Sequence, residues 1–262
     1  MGELRVEGLS KTYARREGWN RTRHLRVFED ISFTVRDGEF VSIIGSSGCG
    51  KSTLLGIAAG LAEASAGVIT LDGRPVRGPG LDRGIVFQEF ALFPWLTVLG
   101  NIKFGLRSKG VPRAEQDRIA RKYVRLVGLS GFEDYHPYRL SGGMRQRVGL
   151  ARALAIGPSA LLMDEPFGAL DAQTREAMQG ALSEIWSKTK ITILFITHDI
   201  REAIYLSDRI LVLSGRPARV SLELTVDLAR PRRRHDPVFQ HHETTLENAL
   251  SAPLADGART IA

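Results

Sequence analysis

Short apolar runs alternate along the chain with longer segments in which apolar residues recur at helical spacing. Several of the short runs are nearly continuous, which is typical of strands that are buried on both faces of a largely parallel sheet. The pattern therefore predicts an α/β fold. The candidate strands are Leu4–Val6, Ile31–Val35, Phe40–Ile44, Val68–Leu71, Gly84–Gln88, Leu161–Asp164, Ile191–Thr197, Arg209–Leu213 and Val220–Val226.

The middle of the chain follows a helical pattern instead. Apolar residues recur at helical spacing from Val98 to Leu129 and again from Ser141 to Ala155. Pro112 stands where one helix is expected to open, and Gly128 stands close to its expected end. We therefore predict an α/β core over residues 1–89 and 156–226, interrupted by a helical subdomain over residues 90–155.

The last part of the chain, residues 227–262, is basic. It contains Arg-Pro-Arg-Arg-Arg at positions 230–234 and few apolar residues that would anchor it to a core. We expect an extended or partly flexible tail.

The chain carries a formal net charge of +7, and much of the excess lies in Arg15–Arg26 and Arg230–Arg234. Such charge suits an anionic partner, which includes nucleic acid, lipid headgroups and polyphosphates. Neither segment is interleaved with several aromatic residues, as a base-stacking surface would be. A solvated surface, or one attracted to a membrane, is therefore favoured over nucleic-acid binding.

Membrane-spanning and disulfide-rich classes do not fit the composition. No run approaches the roughly 18 apolar residues of a spanning helix, and the first residues are charged throughout, unlike a signal peptide. Cys49 is the only cysteine, which excludes an intramolecular disulfide and a multi-cysteine metal site. We expect a cytosolic protein unless something else tethers it.

A glycine-rich segment directly after the strand Phe40–Ile44 fits the phosphate-loop pattern G-x-x-x-x-G-K-[ST], and a helical run follows it. Glycines let the backbone curl closely round a phosphate chain, and the helix N-terminus favours anions. Lys51 adds charge for the β- and γ-phosphates, and Ser52 offers a hydroxyl to Mg²⁺. The predicted nucleotide-binding residues are Gly45, Ser46, Ser47, Gly48, Cys49, Gly50, Lys51, Ser52 and Thr53.

Two consecutive carboxylates, Asp164 and Glu165, end the apolar strand Leu161–Asp164. Ligands bind at the carboxyl ends of strands in such sheets. Neighbouring strand residues point to opposite faces, so the two carboxylates are expected to have separate tasks. Asp164 suits Mg²⁺ binding, and Glu165 suits polarisation of an attacking water.

The segment Leu140-Ser141-Gly142-Gly143-Met144-Arg145-Gln146-Arg147 resembles the signature motif of the ABC ATPase family, with Met144 where that family usually has Gln. Ser141 would cap a helix, while Gly142 and Gly143 would expose its backbone N–H groups to an anion. The resemblance covers roughly residues 3–215. It implies a P-loop NTPase core of the RecA-like kind, with an antiparallel β part and the inserted helical subdomain.

Four further residues resemble motif positions of that family. Gln88 is similar to the loop glutamine that contacts Mg²⁺ and water, and His198 to the switch histidine that contacts the γ-phosphate. Asp171 resembles the loop aspartate that couples two sites across a dimer. Tyr13 resembles the aromatic residue that stacks on adenine. Because the basic segment Ala14–Arg26 is longer than the family pattern, a plain packing role for Tyr13 stays open.

The resemblance implies an enzyme that hydrolyses ATP with Mg²⁺ as a homodimer. Each motif supplies half a site, since Ser141 and Gly143 of a second copy would close over the ATP that the glycine-rich loop holds. Hydrolysis would then shift the population from closed to open dimers.

The nitrate, sulfonate and taurine importer branch is the part of the family that several segments resemble. In that branch a binding protein delivers a small anion to a separate permease, which implies a peripheral location on the cytoplasmic face of the inner membrane. The main alternative is a non-transport ABC ATPase that acts on nucleic acid or ribosomes, although no long coiled-coil or zinc insertion is visible. The segments that carry the branch resemblance are Gly78–Gln88, Leu92–Val98 and Arg230-Pro231-Arg232.

Overall fold

The computed structural model describes residues 2–17 and 21–251, and side chains are described outside 15–22. Its centre is one sheet of ten strands. All nine predicted strands are present, and a two-residue strand was missed. The strands are β1 (Leu4–Glu17), β2 (Arg21–Val35), β3 (Phe40–Gly45), β4 (Ala66–Leu71), β5 (Arg74–Pro75), β6 (Arg83–Val86), β7 (Ala160–Asp164), β8 (Thr192–Ile196), β9 (Arg209–Gly215) and β10 (Ala218–Thr225).

Seven α-helices accompany the sheet in the described part of the chain. Three of them, α2 to α4, lie in the middle region, where the sequence predicts helices, and a short 3₁₀ turn at Pro137–Arg139 stands between the second and the third. The helices are α1 (Lys51–Ala58), α2 (Val98–Ser108), α3 (Arg113–Leu126), α4 (Gly142–Ala155), α5 (Ala172–Thr189), α6 (Ile200–Leu206) and α7 (Pro237–Ser251).

The sheet has a parallel half and an antiparallel half. Its strand order is β5-β4-β1-β2-β10-β9-β3-β8-β7-β6. From β9 to β6 all pairings are parallel. The strands β3 and β8 are buried along their whole lengths, which explains their continuous apolar sequences. Because β8 lies between β3 and β7, the phosphate loop and the two carboxylates are separated by one strand. These features confirm the predicted mixed α/β fold.

The antiparallel half is larger than the sequence indicates. Strands β1 and β2 form a long hairpin in which Tyr13 pairs with Leu25 and Arg15 pairs with Arg23. Within the basic segment Ala14–Arg26, which is longer than the family pattern, residues 14–17 and 21–26 therefore extend two existing strands. Its polar residues do not alternate with apolar ones, so periodicity does not indicate these strands.

The helical region packs as a layer of its own beside the parallel half. Helices α2, α3 and α4 contact one another, and α4 also contacts β6 and α5. The Thr97 hydroxyl caps α2, and the Asn101 side chain ties that helix to the preceding loop through bonds to Phe93 and Leu96. The buried residues Val98 and Ile102 of α2 join a core that α4 shares.

The tail differs from the prediction. Residues 227–236 are irregular, but Pro237–Ser251 forms helix α7, which contacts α6 and β9. Phe239 and Leu246 are fully buried in a core with residues of β9 and α6. The expectation of an extended tail was wrong there because two well-spaced apolar side chains suffice to anchor a helix that is otherwise polar. Residues 252–262 lie outside the described part. Within residues 2–17 and 21–251, no helix is long and apolar enough to cross a membrane.

Candidate nucleotide-binding site

Four neighbouring parallel strands place most of the predicted site residues at one edge of the sheet. The strands β3, β8, β7 and β6 are adjacent in that order. Parallel strands end at the same edge, so the segments that follow them meet there. The glycine-rich loop follows β3, Glu165 follows β7, and the segment with His198 follows β8. Gln88 follows β6 by two residues. The fold thus brings together four segments that are far apart in sequence.

The glycine-rich loop owes its shape to close backbone packing. Gly48 and Gly50 have φ angles of 79° and 95°, which L side chains rarely adopt. A Cβ atom on Gly50 would lie 2.4 Å from a methyl carbon of Val27 in β2. The loop is therefore pressed against the antiparallel half, and Lys51 begins α1 directly after it. Backbone N–H groups at this helix start are suited to an anion.

Lys51 lies over the loop that precedes it. Its ammonium donates hydrogen bonds to the carbonyls of Gly45 at 2.8 Å and Ser46 at 3.2 Å. Its side chain is largely buried against the loop. The amine is thus held where it closes the same loop whose amides would bind phosphate.

Ser52 and Asp164 meet across the site. The Ser52 hydroxyl donates to Asp164 Oδ1 at 3.1 Å. Burial raises the pKa of Asp164, while the Ser52 hydrogen bond and the Lys51 charge oppose that shift in part. A buried carboxylate with a raised pKa is stabilised by a nearby cation. Hydroxyl and carboxylate oxygens are the donors that Mg²⁺ prefers, so these two residues fit such an ion.

Glu165 and His198 form a second pair. His198 Nδ1 lies 2.8 Å from Glu165 Oε2. The backbone of Glu165 has a φ angle of 41°, an unusual value for a residue with a side chain, and its N–H bonds the Ile196 carbonyl at 2.9 Å. Such conformations cost on the order of 1–3 kcal/mol and persist where the surroundings enforce them. The turn thus holds the carboxylate against the imidazole, where it is suited to polarise a water.

Gln88 lies beside the loop that follows Glu165. A Cβ atom on Gly168 would lie 3.3 Å from the Gln88 side-chain amide and 3.4 Å from the Glu165 carbonyl. Gln88 itself is exposed. It is therefore close to the Glu165 loop, as the prediction requires, but it has room to move.

A second group of predicted residues lies at two adjoining helix N-termini. The Ser141 hydroxyl accepts a hydrogen bond from Met144 N–H at 3.3 Å and caps α4. The Asp171 carboxylate accepts one from Thr174 N–H at 3.0 Å and caps α5. These hydrogen bonds lower the pKa of Asp171. A Cβ atom on Gly143 would lie 2.4 Å from a methyl of Thr174, so the two helix starts touch.

Gly142 belongs to the same contact, since a Cβ there would lie 3.4 Å from a Leu170 methyl. Helix α4 packs on the helical layer and on α5, whereas α1 packs on β3, β7 and β8. The structure thus assembles the predicted residues into two groups: one at the strand edge, and one at the starts of α4 and α5.

Tyr13 lies on the β1–β2 hairpin, whose β2 residues Val27 and Phe28 pack on the glycine-rich loop. Its ring is 44% exposed, and the Lys11 ammonium lies 4.7 Å from the ring centroid. An exposed ring beside the loop suits stacking on a base more than it suits a packing role.

The prediction missed two residues that share a cavity with Glu165 and His198. Thr197 and Glu202 line this cavity, whose volume is about 10 Å³ and which also touches Arg175 and Asp199. That volume is near the minimum for one water molecule. A sequence signal existed, because Asp199 and Glu202 have the spacing of a capping box, and the Asp199 carboxylate does accept from Glu202 N–H at 3.0 Å.

Known proteins resemble this chain over most of its length. A protein-family model with the description ABC transporter matches residues 28–168. The taurine import ATP-binding protein TauB of Burkholderia pseudomallei is 49% identical over 91% of this chain and 90% of its own length. An uncharacterised ABC transporter ATP-binding protein of Methanocaldococcus jannaschii is 49% identical over 95% and 91%.

A solved structure supports the same likeness. It is the dimeric structure of a post-hydrolysis state of an ATP-binding cassette bound to ADP and Pi. It superposes with a TM-score of 0.73 and 31% identity, and the match covers 85% of this chain and 98% of the other.

Proposed function

The chain belongs to the ABC transporter family and is an ATP-binding, ATP-hydrolysing cassette, and from that premise we propose that it is the ATPase subunit of an importer for a small anion. Two copies would bind two ATP molecules between them and drive a separate permease. The observation that carries the proposal is the arrangement of the site residues in two groups within one chain.

The strand-edge group supplies binding and hydrolysis. Amides of the glycine-rich loop and the start of α1 would hold the phosphates, with Lys51 placed to neutralise them. Glu165 would polarise the attacking water, and His198 would contact the γ-phosphate while holding the Glu165 carboxylate by its Nδ1. Tyr13 would stack on the adenine.

The Mg²⁺ ion that such ATPases use would be held by Ser52, Asp164 and Gln88. The first two already meet through a hydrogen bond of 3.1 Å. When bound, the ion would supply charge neutralisation between the β- and γ-phosphates. The exposed Gln88, which lies beside the loop that follows Glu165, would complete the site.

The second group would complete the site of another copy. Ser141, Gly142 and Gly143 place helix N–H groups and a small surface at the start of α4, with Asp171 beside them. No lysine corresponding to Lys51 accompanies them. This suits a γ-phosphate that the glycine-rich loop and Lys51 of the other copy already hold. The solved cassette of similar fold is dimeric, which supports a dimer here.

A permease would dock on the helical region, residues 90–155, which we propose as a unit distinct from the core. Trp95 is 71% exposed there, and its ring lies 5.5 Å from that of Phe93, which contacts Phe104. An exposed aromatic cluster a few residues after Gln88 in the sequence suits a partner helix. Docking of that kind would place the chain on the cytoplasmic face of the inner membrane.

The anion class rests on relatives that are named for taurine import. A separate binding protein would deliver the substrate to the permease. That binding protein would therefore be only an indirect partner of this chain.

Co-purification separates transport from the nucleic-acid alternative. We expect the tagged chain, expressed in its own host with a Trp95→Ala control, to bring down a membrane permease, and the control to lose it. Recovery of nucleic acid or ribosomes instead of a permease would contradict the proposal.

A further inference from the structure

Glu202 is a buried carboxyl group close to the site. It is 4% exposed, and it lines the cavity that also contains Glu165 and His198. Burial raises its pKa, although hydrogen bonds from Thr197 and Gln179 lower it in part. A buried carboxyl that accepts from two side-chain donors is held in place. If the carboxyl moved away, each donor would lose its hydrogen-bond partner in a buried place, which costs free energy.

The loop that carries His198 is tied to Glu202 on both sides, by the Glu202 carboxyl before His198 and by the Glu202 backbone N–H after it. Before it, the Thr197 side chain interacts with the Glu202 carboxyl and lowers its pKa, and the two residues line the same cavity. After it, Asp199 N–H donates to the Thr197 oxygen at 3.0 Å, and Glu202 N–H donates to the Asp199 carboxylate at 3.0 Å. The imidazole of His198 is itself exposed, so its position depends on these neighbours and on Glu165.

Gln179 connects Glu202 to the far end of the chain. Its side-chain nitrogen donates to Glu202 Oε1 at 2.9 Å, and its side-chain oxygen accepts from Arg234 at 2.6 Å. The amide is 2% exposed. An arginine has donors only, so the Gln179 oxygen must face it and the nitrogen must face Glu202. Arg234 therefore determines which group of the amide reaches the carboxyl.

The segment that contains Arg234 is held firmly on α5 and α6. Arg234 also pairs with Glu176 at 3.0 Å, and its guanidinium lies 5.4 Å from the centre of the Tyr205 ring. Arg232 is buried and donates to the carbonyls of Ile204 and Ser207 at the end of α6. The basic segment is thus part of the packed structure, and the contact with Gln179 is built into it.

We propose that Arg234 is a positioning residue for ATP hydrolysis, which acts through Gln179 and Glu202 on the loop that carries His198. The inference rests on the proposed roles of Glu165 and His198. We call the chain of contacts from Arg234 through Gln179 and Glu202 to Thr197 the arginine relay. It makes the angle of the His198 ring depend on a residue outside the nucleotide site. The charged groups round Glu202 are Asp199, Arg175, and, across the shared cavity, Glu165 and His198.

Steady-state ATP hydrolysis tests the relay. In Arg234→Ala we expect kcat to fall roughly 5- to 20-fold with the KM for ATP within about twofold, because a displaced catalytic group slows the chemical step. Arg234→Lys keeps a donor toward Gln179 and should recover most of the loss. Gln179→Leu should match Arg234→Ala. Arg233→Ala, the exposed neighbour, is the control and should behave as the parent chain.

The His198 ring reports the same link without turnover. The His198 signals in NMR spectra of the histidine rings are assigned by their loss in His198→Asn. The variants Arg234→Ala and Gln179→Leu should shift these signals, and Arg233→Ala should not. Unchanged His198 signals in Arg234→Ala would overturn the relay, and so would a raised KM at constant kcat. A Glu165→Gln variant that still hydrolyses ATP would instead overturn the proposed function.

Discussion

The strand edge and the starts of α4 and α5 hold the two groups of site residues, and they differ in how those residues are paired. At the strand edge, side chains from separate elements bond one another: Ser52 with Asp164, and Glu165 with His198. At the helix starts, the Ser141 hydroxyl and the Asp171 carboxylate instead accept hydrogen bonds from the first turns of their own helices. The first group has paired side chains that suit catalysis, and the second has helix N-termini that suit an anion.

The difference indicates that neither group is a whole site. A strand edge with a base and a metal site can bind and cut ATP, but it has little to close over the γ-phosphate. The helix starts have helix N-termini suited to an anion, but the two starts contain neither a lysine nor a group proposed as a base. We infer that the two groups meet across a dimer, so a change at the first should affect chemistry, and a change at the second should affect closure.

The largest effect is expected at the base. Glu165→Gln should lower kcat by at least about 100-fold, because it removes a general base, while ATP still binds. Nucleotide affinity by fluorescence and hydrolysis by phosphate release measure the two parts. Glu184→Gln, the same exchange at an exposed carboxylate of α5, is the matched control. A residual rate near the parent value would remove Glu165 from the mechanism.

A change in the second group should act differently. Ser141→Arg places a long cation at the closing surface and should lower hydrolysis at least tenfold. The affinity of one chain for ATP should change less than about twofold, since the strand edge is intact. Ser141→Ala separates the loss of the cap, which costs about 1 kcal/mol of stability. Equal loss of ATP affinity and hydrolysis would contradict two half-sites.

The contact between the helix starts should have a smaller, structural effect. Gly143→Ala puts a methyl 2.4 Å from a Thr174 methyl, so we expect a loss of about 1–3 kcal/mol in denaturant unfolding. Thr174→Ser removes that methyl and should restore stability in the double variant. Gly149→Ala, in the same helix with its nearest neighbour at 3.6 Å, is the control and should not destabilise. Absence of rescue would place the clash elsewhere.

The smallest effect concerns pH. Burial raises the pKa of Asp164 in the folded chain. At a pH between the unfolded and the folded pKa of this group, the folded chain therefore binds more protons than the unfolded chain. That stabilisation is present below the ordinary value of 3.8 and is lost as pH rises through the folded-state pKa. Asp164→Asn should therefore flatten the fall in Tm of the nucleotide-free chain as the pH rises above the ordinary value of 3.8. Glu202, shifted in the same direction, keeps part of the slope. An unchanged slope would contradict burial as the cause.

Much of the fold followed from simple patterns. Strands such as β3 and β8 are buried on both faces, so their sequences are apolar throughout and easy to recognise. The same patterns did not predict the extension of the hairpin by residues 14–17 and 21–26, or helix α7. Their residues are mostly polar, and their stability comes from pairing with β2 and from a few buried side chains such as Phe239.

The site was predictable in its parts but not in its contacts. Motif spacing and strand ends placed Lys51 and Glu165, because a phosphate loop and a carboxylate at a strand end have a local signature. The bond from Glu165 to His198 and the two bonds that lead from Arg234 to Glu202 join residues 23 or more positions apart. Their partners depend on the sheet order, which the sequence alone does not contain.

Light scattering after size exclusion tests the half-site account most directly. The Glu165→Gln chain should be a monomer without nucleotide and a dimer with ATP and Mg²⁺, because binding is kept while hydrolysis is lost. Adding Ser141→Arg should return it to a monomer under the same conditions. An ATP-bound Glu165→Gln chain that stays monomeric at saturating ATP, or a dimer that survives Ser141→Arg, would contradict the claim that the two groups meet across a dimer.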